Sequence, residues 1–239
     1  MKEVKLLHLY SDTLDLYGDS YNLITIQKHI QQMGYPCTVT RVQMDEPVTP
    51  LEYDLVYIGH GKARNTEAVS SHFCRYGEEI RQAVESGKLF FVTGSARLLF
   101  GQSFESSLGQ TFSGIGLFDY KGVDSNRVFT SDVVARATFD PELISYGFIN
   151  RTQHIVGENL YPLFQTVSGA SDGEKPDGWE GTLYRNFFGT WQMGPVLVRV
   201  PWLLKEVLKR LLGQDFVPYD DSLEKKALDK TLKEFEISQ

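Results

Sequence analysis

Apolar and polar positions alternate in blocks over the first hundred residues. Val4 to Tyr10 is a short apolar run interrupted by His8, and it predicts a buried strand. A loop holding LYGDSYN follows. A helical stretch then runs from about Tyr21 to Met33, where Gly34-Tyr35-Pro36 breaks it. Cys37 to Val42 alternates like a second strand. Leu55 to Ile58 is continuously apolar, the pattern of a strand covered on both faces. Glu67 to Glu85 predicts a helix closed by Ser86-Gly87, and Lys88 to Val92 a fourth strand. Strands that alternate with helices build βαβ units. The expected fold is therefore α/β, with a mostly parallel open sheet flanked by helices.

After Gly101 the texture changes. Residues 113 to 200 are rich in β-branched and aromatic side chains with short Gly, Asn and Asp turns. DVVARATFD, LYPLFQTVSG and GTLYRNFFGTWQM predict strands, additional antiparallel ones lying partly at the sheet edge. Ser168 to Gly178 reads as a polar loop. Pro201 opens an amphipathic helix, WLLKEVLKRLLG, that Gly213 ends. A last helix, Ser222 to Phe235, carries Leu223, Leu228, Leu232 and Phe235 among charges and reads as a surface helix packing one stripe. The expected organisation is one domain over residues 1–213 with a helical extension packed on it over 214–239.

Composition narrows the function classes. The chain has 239 residues, 41% hydrophobic and 23% charged, as in an ordinary globular protein with a full core. A net charge of −7 without a basic stripe argues against a nucleic-acid binder. The N-terminal apolar run is too short for a signal peptide, and no stretch is long enough to span a bilayer. Cys37 and Cys74 are the only cysteines, so neither a disulfide framework nor a cysteine metal site is indicated. A cytoplasmic protein without a cofactor or metal is the expectation.

In open α/β sheets ligands bind outside the carboxyl ends of the strands. Three loops leave those ends: SDTLDLYGDSYN after the first strand, GHGKAR after the third and TGSAR after the fourth. The last belongs to FFVTGSARLLFG, where strand, tight turn and helix succeed one another as they do around a nucleophile. Its turn residue is Thr93. Gly59-His60-Gly61 suits close backbone approach, and His60 is expected to face solvent. Asp12, Asp15 and Asp19 read as a solvated acidic loop, and Cys74 as a small buried hydrophobe.

These segments resemble the class I glutamine amidotransferases, and among them the CobB/CobQ-like group, nearest to GatD-type glutaminase subunits of lipid II isoglutaminyl synthase. LYSDTLDLYGDSYNL is similar to that group's tyrosine, aspartate, YGD-x-x-N opening, and DLVYIGHGKAR to its apolar strand and glycine-rich turn. FFVTGSARLLFG stands where the group has a strand ending in Cys-Gly-Gly-[YF]-Gln. IGLFDY and GFIN are similar to its I-G-L-[LF]-D and G-F-E-N, and EGTLYRNFFGTWQMGPVL to its segment ending G-T-Y-L-H-G-P-L-L. The likeness runs from about residue 6 to residue 210 and implies a flavodoxin-like fold. It also implies chemistry in which a Cys attacks the glutamine amide, a His moves the proton and backbone N–H groups hold the oxyanion.

Carried over residue by residue, that chemistry fails at its two principal positions. The nucleophile position falls on Thr93 and the His position on Met193. An oxyanion-turn glycine is Ser95, and the glutamine two residues on is Arg97. Ile149 and Arg151 replace the Glu and His around GFIN. The pocket implied by the resemblance comprises Asp19, Gly59, His60, Gly61, Gly94, Ser95, Arg97 and Arg151. Its two arginines either bind a carboxylate or phosphate or pair with Asp12 or Asp19. The resemblance implies a MurT-like Mur ligase partner and glutamine or another small carboxylate as ligand. The expected role is a glutaminase-silent, regulatory subunit. The alternative is an active amidotransferase of lipid II or cobyric acid synthesis with a changed nucleophile, drawn from Thr93, Ser95 or His60.

Overall fold

The computed structural model describes residues 2–173 and 178–235. Residues 174–177 of the polar loop therefore lie outside the described residues, as does the end of the extension. In chain order the first half runs β1 (Val4–Leu9), α1 (Tyr21–Gln32), β2 (Cys37–Val42), β3 (Leu55–Ile58), α2 (Ala63–Arg75), α3 (Gly77–Glu85) and β4 (Leu89–Thr93). These elements follow the periodicity, with one correction. The helix expected as a single piece over Glu67–Glu85 starts earlier and is two helices. Tyr76 leaves helical geometry between them (φ −105°, ψ 18°). A Cβ on Gly77 would come within 3.0 Å of Ile115 Cγ2, so the chain there lies against its neighbour as only glycine comfortably allows.

With β11 (Thr182–Tyr184) and β12 (Phe187–Thr190) from the second half of the chain, the main sheet has the order β11-β12-β4-β3-β1-β2. β2, β1, β3, β4 and β12 are parallel, and β11 closes one edge antiparallel. Every residue of β3 and β4 is buried, because helices cover both faces of the sheet. Phe90, Phe91, Phe187 and Phe188 are fully buried at its centre, each contributing about 1.5–3 kcal/mol.

The aromatic-rich stretch does more than extend this sheet. β5 (Ser103–Glu105), β6 (Thr111–Ser113), β7 (Tyr120–Ala137), β8 (Ile144–Gly157), β9 (Phe164–Ser168) and β10 (Trp179–Glu180) form a second sheet. β7 and β8 make a long antiparallel hairpin whose register shifts between Asp124 and Phe129. β8 has no counterpart in the sequence expectation. Its GFINRT core mixes polar and apolar residues too evenly to mark a strand, yet alternate positions are buried.

α4 (Val196–Arg199), α5 (Pro201–Leu212) and α6 (Ser222–Glu234) complete the chain. Gly213, at φ +57°, ends α5 as expected. On α6, Leu228 and Leu232 pack with Val134 and Ile144 of the hairpin, and Phe235 joins them. Leu223 does not belong to that stripe, being 76% exposed.

Candidate functional site

β1, β3 and β4 are neighbours in the sheet, so the loops leaving their carboxyl ends converge. The loop after β1 brings Asp19 to the start of α1 and buries it completely. Asp19 is therefore a hub and no part of a solvated loop. Its Oδ2 accepts the His60 backbone N–H at 2.6 Å and lies 3.0 Å from the Tyr57 hydroxyl, and the Thr93 hydroxyl donates to the same oxygen. Asn22 Nδ2 reaches Oδ1 at 3.3 Å. Burial pushes the Asp19 carboxyl up to about 6, and the Thr93, His60 and Tyr57 donors act in the opposite sense.

Three glycines let these loops touch. A Cβ on Gly59 would lie 2.5 Å from the Leu14 carbonyl oxygen, and one on Gly61 2.3 Å from Leu14 Cδ2. Gly94 has φ +56°, and a Cβ there would fall 2.0 Å from His60 Nδ1. The left-handed bend after β4 is thus taken by Gly94. Thr93 itself is plainly extended (φ −119°, ψ 148°). From Gly94 to Phe100 the chain is a 3₁₀ turn, in place of the expected α-helix start.

His60 does not face solvent. It is 5% exposed, and its Nδ1 accepts the Ser95 N–H at 3.0 Å. That bond places the ring proton on Nε2. Burial pushes the imidazole down to about 4, so the ring is neutral at pH 7. Tyr17 stacks on it, with centroids 6.3 Å apart. The Ser95 hydroxyl is also committed, to Thr66 Oγ1 at 2.7 Å and to the Gly61 carbonyl at 2.9 Å. Among the described residues no base is directed at it.

Beside this network opens a cleft of about 230 Å³, lined among others by His60, Lys62, Ser95, Asn150, Arg151 and Trp191. Neither Thr93 nor Asp19 lines it. Arg151 donates to the Ser171 and Gly173 carbonyls at 2.9 and 2.6 Å, and its guanidinium lies 5.4 Å from the Trp191 ring centroid. Burial pushes it down to about 10, which leaves it charged at neutral pH. Gly61, Lys62 and Ala63, at the N-terminus of α2, form part of the same wall. Lys62, Arg151 and that helix end together favour an anion.

Arg97 departs from both expectations. It neither lines the cleft nor pairs with Asp12 or Asp19. Fully buried, it makes a bidentate pair with Asp172 at 2.6 and 2.9 Å and lies 3.7 Å from Glu180. It therefore ties the 3₁₀ turn to the second sheet. Glu180 accepts the Thr190 hydroxyl and the Trp191 N–H, and burial, with the Asp172 charge beside it, pushes its carboxyl above the usual carboxylate range. Met193 is buried after β12, its N–H bonded to the Phe148 carbonyl at 2.9 Å. A thioether there has no proton to exchange.

Sequence reasoning missed Tyr57, Thr66, Asp172, Glu180 and Asn150. Asp172 and Glu180 sit in and beside the polar loop, where acidic residues ordinarily signal solvent. Tyr57 lies in DLVYIGHGKAR, Asn150 in GFIN and Glu180 in EGTLYRNFFGTWQMGPVL, but nothing in those segments marks the one polar side chain that turns inward; LYGDSYN places Asp19 and Asn22 together at the start of a helix.

A CobB/CobQ-like glutamine amidotransferase domain matches residues 5–198. The chain belongs to that family. Its likeness to two curated members is extensive. It is 27% identical to the GatD subunit of the glutamine-hydrolysing lipid II isoglutaminyl synthase of Streptococcus pneumoniae, over 92% of this chain and 87% of the relative. The Staphylococcus aureus subunit of the same name is 24% identical over 92% and 89%. Among solved structures, the glutaminase domain of Trypanosoma brucei CTPS superposes with a TM-score of 0.56 at 11% identity, covering 92% of this chain and 98% of that one. PurLQS from Thermotoga maritima gives 0.53 at 13% identity, covering 89% and 99%. At these identities the structures bear on the amidotransferase fold alone. Among the described residues of this CobB/CobQ-like chain no helix is long and apolar enough to cross a membrane.

Proposed function

We propose that this GatD-like chain is a subunit that no longer hydrolyses glutamine, and that it serves a Mur-ligase-like partner as a regulatory or ligand-sensing component. One observation carries the reading: the residue at the family's nucleophile position, Thr93, is fully buried and gives its hydroxyl to Asp19. A substrate in the cleft does not meet that oxygen, and Met193 supplies no base. The cleft keeps Arg151, Lys62 and the α2 N-terminus, so glutamine or another small carboxylate remains a suitable ligand.

A second reading has a specific observation behind it. A hydroxyl bonded to a carboxylate is also the geometry of a nucleophile and its base, with Asp19 taking the Thr93 proton. Burial of both groups and their absence from the cleft wall weigh against it.

The deciding experiment is glutamine hydrolysis by the purified chain, with and without a co-expressed MurT-like ligase. Thr93→Val and the double variant Thr93→Cys/Met193→His are measured beside it. The expected result is no ammonia release from the native chain or Thr93→Val, and detectable release from the double variant. Turnover by the native chain that Thr93→Val abolishes overturns the silent-subunit reading and makes Thr93 a nucleophile.

A further inference from the structure

A second crevice lies on the other side of β1, away from the cleft. It encloses about 150 Å³ between β1, β2 and the first turns of α1, and His8, Ser11, Asp15 and Arg41 line it. His8 and Arg41 are register partners on adjacent strands and therefore neighbours on one face. His8 is 2% exposed, and its Nε2 has no hydrogen-bond partner among the described residues. Burial holds the imidazole neutral at pH 7, with the Asp15 and Arg41 charges acting on it in opposite directions. Leu23, Ile24 and Val39 supply the apolar remainder of the wall.

We propose that this crevice, between the Asp15 carboxylate and the Arg41 guanidinium over the buried ring of His8, binds a small zwitterion of the α-amino acid class. Size and charge lead to that class together. A cavity of this volume holds a six-carbon ring, so the ligand has roughly six or seven heavy atoms. A phosphate or simple carboxylate satisfies Arg41 but meets the Asp15 charge, and a simple amine meets Arg41. Only a ligand carrying both signs answers both ends. Asp15 Oδ1 accepts the Ser20 N–H at 2.8 Å, which leaves Oδ2 for an ammonium group. Ser11 Oγ accepts from Gln43 Nε2 at 2.7 Å, so its own O–H is left to donate to a carboxylate beside Arg41. His8 adds a hydrogen-bonding nitrogen without a charge.

The site is separate from the amidotransferase cleft, and the proposal stands whether or not glutamine is hydrolysed. The test is a titration of the full-length, ¹⁵N-labelled chain with L-alanine, followed by NMR at the His8 ring nitrogens and the Ser20 amide. Acetate, ethylamine and inorganic phosphate are titrated alongside. Asp15→Asn keeps the acceptor for the Ser20 N–H and removes the charge, while Arg41→Gln removes the opposite one. The expected result is a saturable shift with L-alanine. Acetate and ethylamine should bind at least about tenfold more weakly, as should alanine to either variant, the loss of one charge-assisted contact. Phosphate or acetate binding as tightly as alanine overturns the proposal in favour of a plain anion pocket. Shifts confined to His60 and Ser95 place the amino acid in the cleft, and no saturable shift at His8 also overturns it.

Discussion

Replacing Asp19 by Asn should remove a pH dependence from the stability of the fold, in a direction opposite to that of an ordinary surface carboxylate. Burial moves the Asp19 pKa from 3.8 to about 6. The folded chain therefore holds the proton more tightly than the unfolded chain. Stability from this group is complete below 3.8 and is lost as pH rises towards about 6. At about 1.4 kcal/mol for each tenfold change in proton affinity, the full loss is about 3 kcal/mol. About 1.3 kcal/mol of it falls between about pH 5 and about pH 7, the range open to experiment. Asp19→Asn also places an amide N–H₂ among the donors of His60, Thr93 and Tyr57, which lowers stability by an amount independent of pH. Urea denaturation of both chains at the two pH values separates the effects. The gap between wild type and variant should be larger at pH 5 than at pH 7, by about 1.3 kcal/mol. A gap that stays constant or widens towards pH 7 refutes the reasoning. It would mean that the donors outweigh desolvation and that Asp19 is ionised throughout.

Other outcomes rest on the same geometry. Gly94→Ala combines φ +56° with a Cβ 2.0 Å from His60 Nδ1, and should cost about 2–4 kcal/mol in urea unfolding. Arg97→Met leaves Asp172 and Glu180 buried without their cation; a loss of about 3–5 kcal/mol, read by thermal denaturation, is expected. Thr93→Val removes a donor from a buried carboxylate oxygen and should cost about 1–3 kcal/mol by denaturant unfolding.

Much of the main sheet was legible because its strands are covered on both faces. Leu55–Ile58 and Leu89–Val92 are continuously apolar, and their shortness together with the turn residues that bound them separates them from helices. The glycines of the site were legible for a related reason, since Gly59, Gly61 and Gly94 each sit where a turn leaves a strand. The second sheet was less so. β8 buries every other residue, but the buried set includes Arg151 and Gln153, whose partners come from distant segments. Polar residues on the inner face erase the alternation that marks a half-buried strand.

Charge was the most misleading signal. Asp19, Asp172 and Glu180 occupy loop-like, polar stretches, yet all three are buried. Asp19 and Asp172 find their partners across 74 and 75 positions of chain, which no local window contains, and Glu180 finds its own across a turn between two sheets, 10 and 11 positions on. His60 misled in the same way: a histidine between two glycines looks solvent-facing until the loop after β1 closes over it.

The sequence by itself determined the alternation of strands and helices over the first hundred residues, the turns at their carboxyl ends, and the presence of Thr93 and Met193 where the resemblance implies a Cys-His pair. Those are properties of neighbouring residues and of motifs in register, and they need no knowledge of distant contacts. The tertiary structure alone decided that Thr93 points into a buried carboxylate and away from the cleft. It also decided that Arg97 is consumed by Asp172 while Arg151 lines an open wall. The physical reason is common to these cases. A buried polar group must find its partner, and the partner is chosen by the packing of the whole chain.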